Sequence, residues 1–223
     1  MTYKSSSQKI DSLLKRFKRK QDGHAALEFS FIAPIMIFGI LFSSIELTDG
    51  IMAHKHVDRS ASTLADLVSR TRRESGTVRL QKAELEDIFI ASDKIIQNYG
   101  IDGALMRVTS IERNESDDGY TVVWSKELTQ GSTSMSNASQ AGYIPGGAFT
   151  GLSSNMIIPD ADGLVEPGDH LVVAEVSYPF KPSFSEFIIS DFDMKANEIR
   201  LPREGRVIHF CESDDDCTDD DDD

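Results

Sequence analysis

The chain has 223 residues, a formal net charge of −14 and two cysteines, enough for one modest domain behind an apolar N-terminal segment. Residues 1–22 hold seven Lys or Arg (4, 9, 15, 16, 18, 19, 20) against Asp11 and Asp22, so everything downstream stands near −19. A body that acidic argues against nucleic acid as a partner, because duplex binding needs phosphate-neutralising side chains on the folded domain; the basic leader instead suits an anionic membrane surface.

Next in chain order is an apolar run. From Phe29 to Ile45 seventeen residues carry no charge, and the wider segment Ala25–Leu47 holds only Glu28 and Glu46. At about 1.5 Å per residue the inner part covers about 25–30 Å, one hydrocarbon core. Basic residues crowd its N-terminal side while Glu46 and Asp49 follow the other end, so the positive-inside rule puts the leader in the cytoplasm and the body in the periplasm or outside. A cleaved secretory signal is the competing reading, but Ser43-Ser-Ile45 is a poor small-x-small site. Pro34 removes a backbone donor and marks a kink that membrane helices tolerate. Gly39 and Ser43 have a small-xxx-small spacing, common by chance, that would let another helix approach.

Glu28 sits just inside this helix, where a carboxylate is expensive unless it snorkels or finds a partner. Two readings stand at this point. It is a helix-start residue at headgroup depth near the favourable end of the macrodipole, or it awaits a cation such as a new α-amino group created by cleavage after Gly23.

Gly23-His-Ala-Ala-Leu-Glu28, after basic residues and before an unbroken apolar segment, resembles the class III leader processed by prepilin peptidases. The string Ala25-Ala-Leu-Glu-Phe-Ser-Phe-Ile-Ala-Pro34 is similar to the N-terminal signature of TadE-like proteins of the tight-adherence (Tad) pilus system. The likeness covers residues 15–70 well and is weak beyond. It implies cleavage between Gly23 and His24, recognition and assembly through Glu28 and Phe29, and pairing of Glu28 with the N-terminal amine of a neighbouring subunit. The family's major pilins carry Tyr after the Glu and are short beyond the helix. Phe29 and the large body here therefore favour a minor, pseudopilin-like component.

Beyond the span, Val57, Ala61, Leu64 and Val68 make one stripe of an amphipathic helix over about residues 51–72. Asp49-Gly50 either loosens its junction with the span or lies within one continuous helix. Arg70, Arg72, Arg73, Glu74, Ser75 and Gly76 read as an exposed break. A second helix shows Leu85, Ile88, Phe89, Ser92, Ile95, Ile96 and Tyr99 on one face, acidic residues in its first turns and Gly100 as its cap. Residues 105–112 and 119–127 form a hairpin in which Tyr120, Val122 and Trp124 share one face, with Trp124 in the core. Residues 129–169 are rich in Gly, Ser, Asn and Pro and read as a long, poorly ordered loop, with a partner-binding loop as the alternative. Asn114 and Asn137 begin glycosylation sequons that we treat as chance. The strand at 170–180 places Val172, Ala174, Val176 and Tyr178 on one face and is ended by Pro179 and Pro182. Phe184, Phe187, Ile188 and Ile189 pack a short helix or turn, and strands near 198–201 and 206–210 complete the sheet.

The last twelve residues carry nine negative charges and should stay solvated. Cys211 and Cys217 are candidates for a disulfide in a compartment where such bonds persist, though the sequence leaves open whether they are bonded. Closing that loop would restrict the unfolded chain by about 2–2.5 kcal/mol, little of which should reach the domain if the enclosed segment is floppy.

The search for chemistry returns little. His24, His54, His56, His170 and His209 show no metal-ligand spacing, and there is no phosphate loop, dinucleotide fingerprint or nucleophile elbow. No catalytic residue, metal or cofactor is expected. The expected fold is α+β: a transmembrane helix continuing into an amphipathic helix, with a second helix packed on a small antiparallel sheet. The expected organisation is a cytoplasmic leader (1–23), a transmembrane helix (24–47), an extracytoplasmic domain (48–210) with its long loop, and an acidic tail (211–223). The leading functional reading is a minor pilin-like component of a Tad-type pilus or secretion apparatus in a bacterial inner membrane. Its partners would be a prepilin peptidase, other pilins or Tad assembly proteins, and the lipid bilayer. The alternatives are an uncleaved single-pass protein with an extracytoplasmic binding or sensing domain, and a released periplasmic enzyme.

Overall fold

One helix, α1, runs from Asp22 to Ser69 in a computed structural model that describes residues 22–71, 73–74, 77–97, 103–115, 119–132, 134–150, 165–182, 191–203 and 207–213. The leader before Asp22, the Tyr99–Gly100 end of the second helix, residues 151–164, the Phe184–Ile189 segment, and the tail with Cys217 lie outside the described residues. The chain divides into two units, 1–48 and 49–223.

In the first unit the described residues form the first part of α1. The thirteen large apolar side chains from Leu27 to Leu47 are each 45–73% exposed, on every side of the helix. Three of its hydroxyls are satisfied locally: Ser30 donates to the Leu27 carbonyl (2.9 Å), Ser44 to Ile40 (2.7 Å) and Thr48 to Ser44 (2.8 Å). Such back-bonding lets polar residues sit in an apolar segment without an unpaired donor. Pro34 lies inside the helix, where its missing N–H leaves the Ser30 carbonyl without the usual intrahelical partner.

In the second unit the rest of α1 buries a stripe of Ala53, Val57, Ala61, Leu64, Ala65 and Val68. The helix closes on tighter bonds from the Arg70 and Thr71 amides to the Leu67 and Val68 carbonyls. A short ladder follows. β1 (Arg73–Glu74) pairs antiparallel with β2 (Thr77–Gln81), so two residues of the segment read as a break are strand. A two-residue strand has no periodicity for a sequence pattern to register. Helix α2 (Lys82–Gln97) has Glu84 in its first turn and buries Leu85, Ile88, Phe89, Ser92 and Ile96.

Five antiparallel strands make the main sheet, in the order β5-β4-β3-β6-β7: β3 (Leu105–Arg113), β4 (Tyr120–Thr129), β5 (Ser136–Asn137), β6 (His170–Phe180) and β7 (Phe192–Arg200). The expected strand at 198–201 is the end of the longer β7. Strand β8 (Ile208–Cys211) leaves this sheet and pairs in parallel with β2, making a separate three-stranded sheet where one small sheet was expected. β6 continues through Pro179, which lies opposite Asp193 of β7; the pairing with β3 has already ended at Ser177, so a residue without an N–H is tolerated there.

The sheet buries both faces. Met106, Val108, Trp124, Leu128, Val172, Ala174 and Val176 join the buried residues of α1 and α2 in one core, and the Trp124 indole donates to the Ile208 carbonyl at 3.0 Å. Ile111, Val122, Val165, Leu171 and Val173 form a second cluster on the opposite face. A bulge explains why Val122 and Trp124 part company. Ser110 pairs with Trp124 but Ile111 with Val122, leaving Val123 as an extra residue that reverses the alternation. The described part of the 129–169 loop is not a loose excursion: it adds β5 to β4, buries Tyr143 and Val165, and lays Phe149 against the second cluster.

Candidate functional site

The residues singled out for processing and assembly all stand in the first two turns of α1. Gly23 and His24 follow Asp22 directly, so the bond between them lies inside the first helical turn. His24 Nδ1 lies 3.4 Å from Glu28 Oε1 across one turn, with the two side chains 81% and 68% exposed. An ion pair that open is screened by water and exists only when the imidazole is protonated. Glu28 is therefore left accessible to another cation. Phe29 is 71% exposed beside it and begins the apolar surface. Among the described residues, this helix is long and apolar enough to cross a membrane.

At the other end of the chain, Cys211 is the last residue of β8, buried and disulfide-bonded. The chain's other cysteine is Cys217. Cys211 pairs with Gln81 in the small sheet, so one end of the bridge is held in the fold rather than in a solvated tail. Next to it Glu212 accepts a 2.6 Å hydrogen bond from the buried Lys126 ammonium, which also donates to Asn137 and lies 4.3 Å from the Phe210 ring centroid. That bond and the lysine charge hold the Glu212 carboxyl below its ordinary range.

Two polar clusters were not foreseen. In the first, Ser110 Oγ is 3.2 Å from His170 Nδ1, and His170 Nε2 is 4.0 Å from Glu112. The set has the residue types of a hydrolytic triad without its access, since Ser110 is fully buried within β3. Burial, with His209 nearby, depresses the His170 imidazole to about 4, so it stays neutral. In the second, Arg107 of β3 stands opposite both Glu127 of β4 and Glu175 of β6. Its guanidinium donates to Glu127 at 2.9 and 3.2 Å and to Gln140 at 3.1 Å, and lies 4.0 Å from the Tyr143 ring centroid. The Tyr143 hydroxyl donates to Glu175 Oε1 at 2.7 Å. Burial raises both the phenol and the Glu175 carboxyl above their ordinary values. The sequence signal was a charged residue within each of three strands, Arg107, Glu127 and Glu175. Five residues so far apart in the chain, Arg107, Glu127, Gln140, Tyr143 and Glu175, are gathered by register and by the returning loop.

Among the described residues no three His, Cys, Asp or Glu side chains gather to hold a metal. Comparison with protein-family models, with curated proteins and with solved structures returned no match.

Proposed function

We propose that the chain is a minor pilin-like component of a Tad-type pilus assembly or secretion apparatus, cut by a prepilin peptidase between Gly23 and His24. The observation that carries this reading is the order of Gly23, His24, Glu28 and Phe29, the last three exposed, at the head of a membrane-length helix whose large apolar side chains face outward. The basic leader stays in the cytoplasm, residues 24–47 span the inner membrane, and α1 continues as an amphipathic helix into a periplasmic α+β domain where α2 packs on the sheet. Glu28 receives the amine of a neighbouring subunit, and Phe29–Leu47 serves first as anchor in the bilayer, then as a packing surface for other pilins or Tad assembly proteins. No catalytic group is required of the domain.

One observation favours a second reading. The Gly23–His24 bond lies in a helical turn, and an uncleaved single-pass protein with an extracytoplasmic binding domain would keep it there.

Intact mass of the membrane-purified protein separates the two. The first reading expects a mature chain beginning at His24 and a Gly23→Ala variant that keeps its leader; a wild-type protein that retains Met1 with its leader would overturn it. Glu28→Leu should leave membrane insertion intact and abolish incorporation or assembly, and normal piliation in that variant would remove the role given to Glu28.

A further inference from the structure

The cluster around Arg107 borders a cavity of about 640 Å³ on the outer face of the main sheet. Its floor is β6 and β7, including Glu175, Ser177, Asp193 and Lys195, and its other wall is Gln140 and Tyr143 from the returning loop. A volume of this order is typical of sites for small molecules, which run to about 300–1,000 Å³.

The polar inventory is unbalanced. Arg107 has its Nε and Nη2 donors committed to Glu127 and Gln140. Glu175 Oε1 accepts from Tyr143, but Oε2 is buried and accepts no hydrogen bond; its nearest cationic atom is Arg107 Nη1, at 3.9 Å. The two carboxylates of the cluster face the Arg107 guanidinium, and the charge of Lys195 also acts on Glu175. Lys195 lines the cavity but makes no hydrogen bond to that oxygen. A buried acceptor left without a donor is costly, and a charged donor repays most where the acceptor is already out of water. Asp193 adds a further carboxylate to the rim.

We propose that this cavity binds a small ligand through an ammonium or guanidinium group, whose N–H donates to Glu175 Oε2 beneath Tyr143. The ligand's remaining apolar length lies along Leu105 and Ser177, and the site works whether or not the leader is cleaved.

The full-length protein in lipid nanodiscs is titrated with butylguanidinium and with its uncharged isostere butylurea, followed by calorimetry and by amide chemical shifts of β6 and β7. The expected result is saturable binding of the cation, weaker by about tenfold or more for butylurea and in Glu175→Gln, which keeps the shape of the side chain. Ser177→Phe fills the cavity from the sheet without altering Glu175 and should abolish binding, so the test survives a poorly folded Glu175→Gln. No saturable binding of butylguanidinium, equal affinity for the two probes, or unchanged affinity in a folded Glu175→Gln or Ser177→Phe variant would overturn the proposal.

Discussion

The two parts of α1 are both helical, yet they solve opposite problems. Between Leu27 and Leu47 every large apolar side chain is exposed, all round the helix, whereas from Ala53 to Val68 the buried residues form one stripe with charged residues such as Asp58 and Arg59 between them. Helix propensity does not distinguish them. The angular width of the apolar surface does: a stripe is matched by a protein core, while a helix apolar on all sides needs a surrounding medium of lipid or other helices.

The sharpest way to break this comparison is to remove equal volume from each part. Leu64→Ala, at a fully buried position, should destabilise the domain by about 2–5 kcal/mol, and Leu41→Ala should leave its melting unchanged within about 0.5 kcal/mol. Thermal melts of the purified domain signal by near-ultraviolet circular dichroism would show it. Similar losses in both variants would mean that the two surfaces are not different in kind.

A charge placed in the outward-facing part probes the other side. Ile37→Lys, in the middle of the uncharged run, should raise the cost of insertion by about 3–4 kcal/mol and reduce recovery in carbonate-washed membranes, with little effect on the folded domain. Undiminished recovery would remove the lipid reading of that surface.

Acid should act on the domain through His170. Burial lowers His170 to about 4, so between that value and the ordinary imidazole range near 6.5 the unfolded chain binds more protons than the folded one. The stability from keeping this ring neutral is whole above about pH 7 and falls as pH drops, by about 3 kcal/mol at pH 4. His170→Gln should flatten this part of the profile in denaturant melts taken from pH 7 to 4; an unchanged slope would show that the loss arises elsewhere.

Much of the architecture could be read locally. The spacing of Leu85, Ile88, Phe89, Ser92 and Ile96 gives α2 its buried face, and the alternation of β6 marks a strand, because both are periodic over several residues. Features that depend on a single residue or on a distant partner were missed. The bulge at Val123 moved Trp124 to the face opposite Val122, and β1 was too short to show a period.

By itself the sequence determined the membrane-length helix, its charge asymmetry and the position of Glu28 within it, since composition, length and local spacing are properties of contiguous residues. Only the tertiary structure decided that β8 joins β2 rather than the main sheet, that the glycine-rich loop returns to bury Tyr143, and that Arg107, Glu127 and Glu175 share one site. Those outcomes depend on strand register and on burial against residues far along the chain, and neither is written into any short stretch of it.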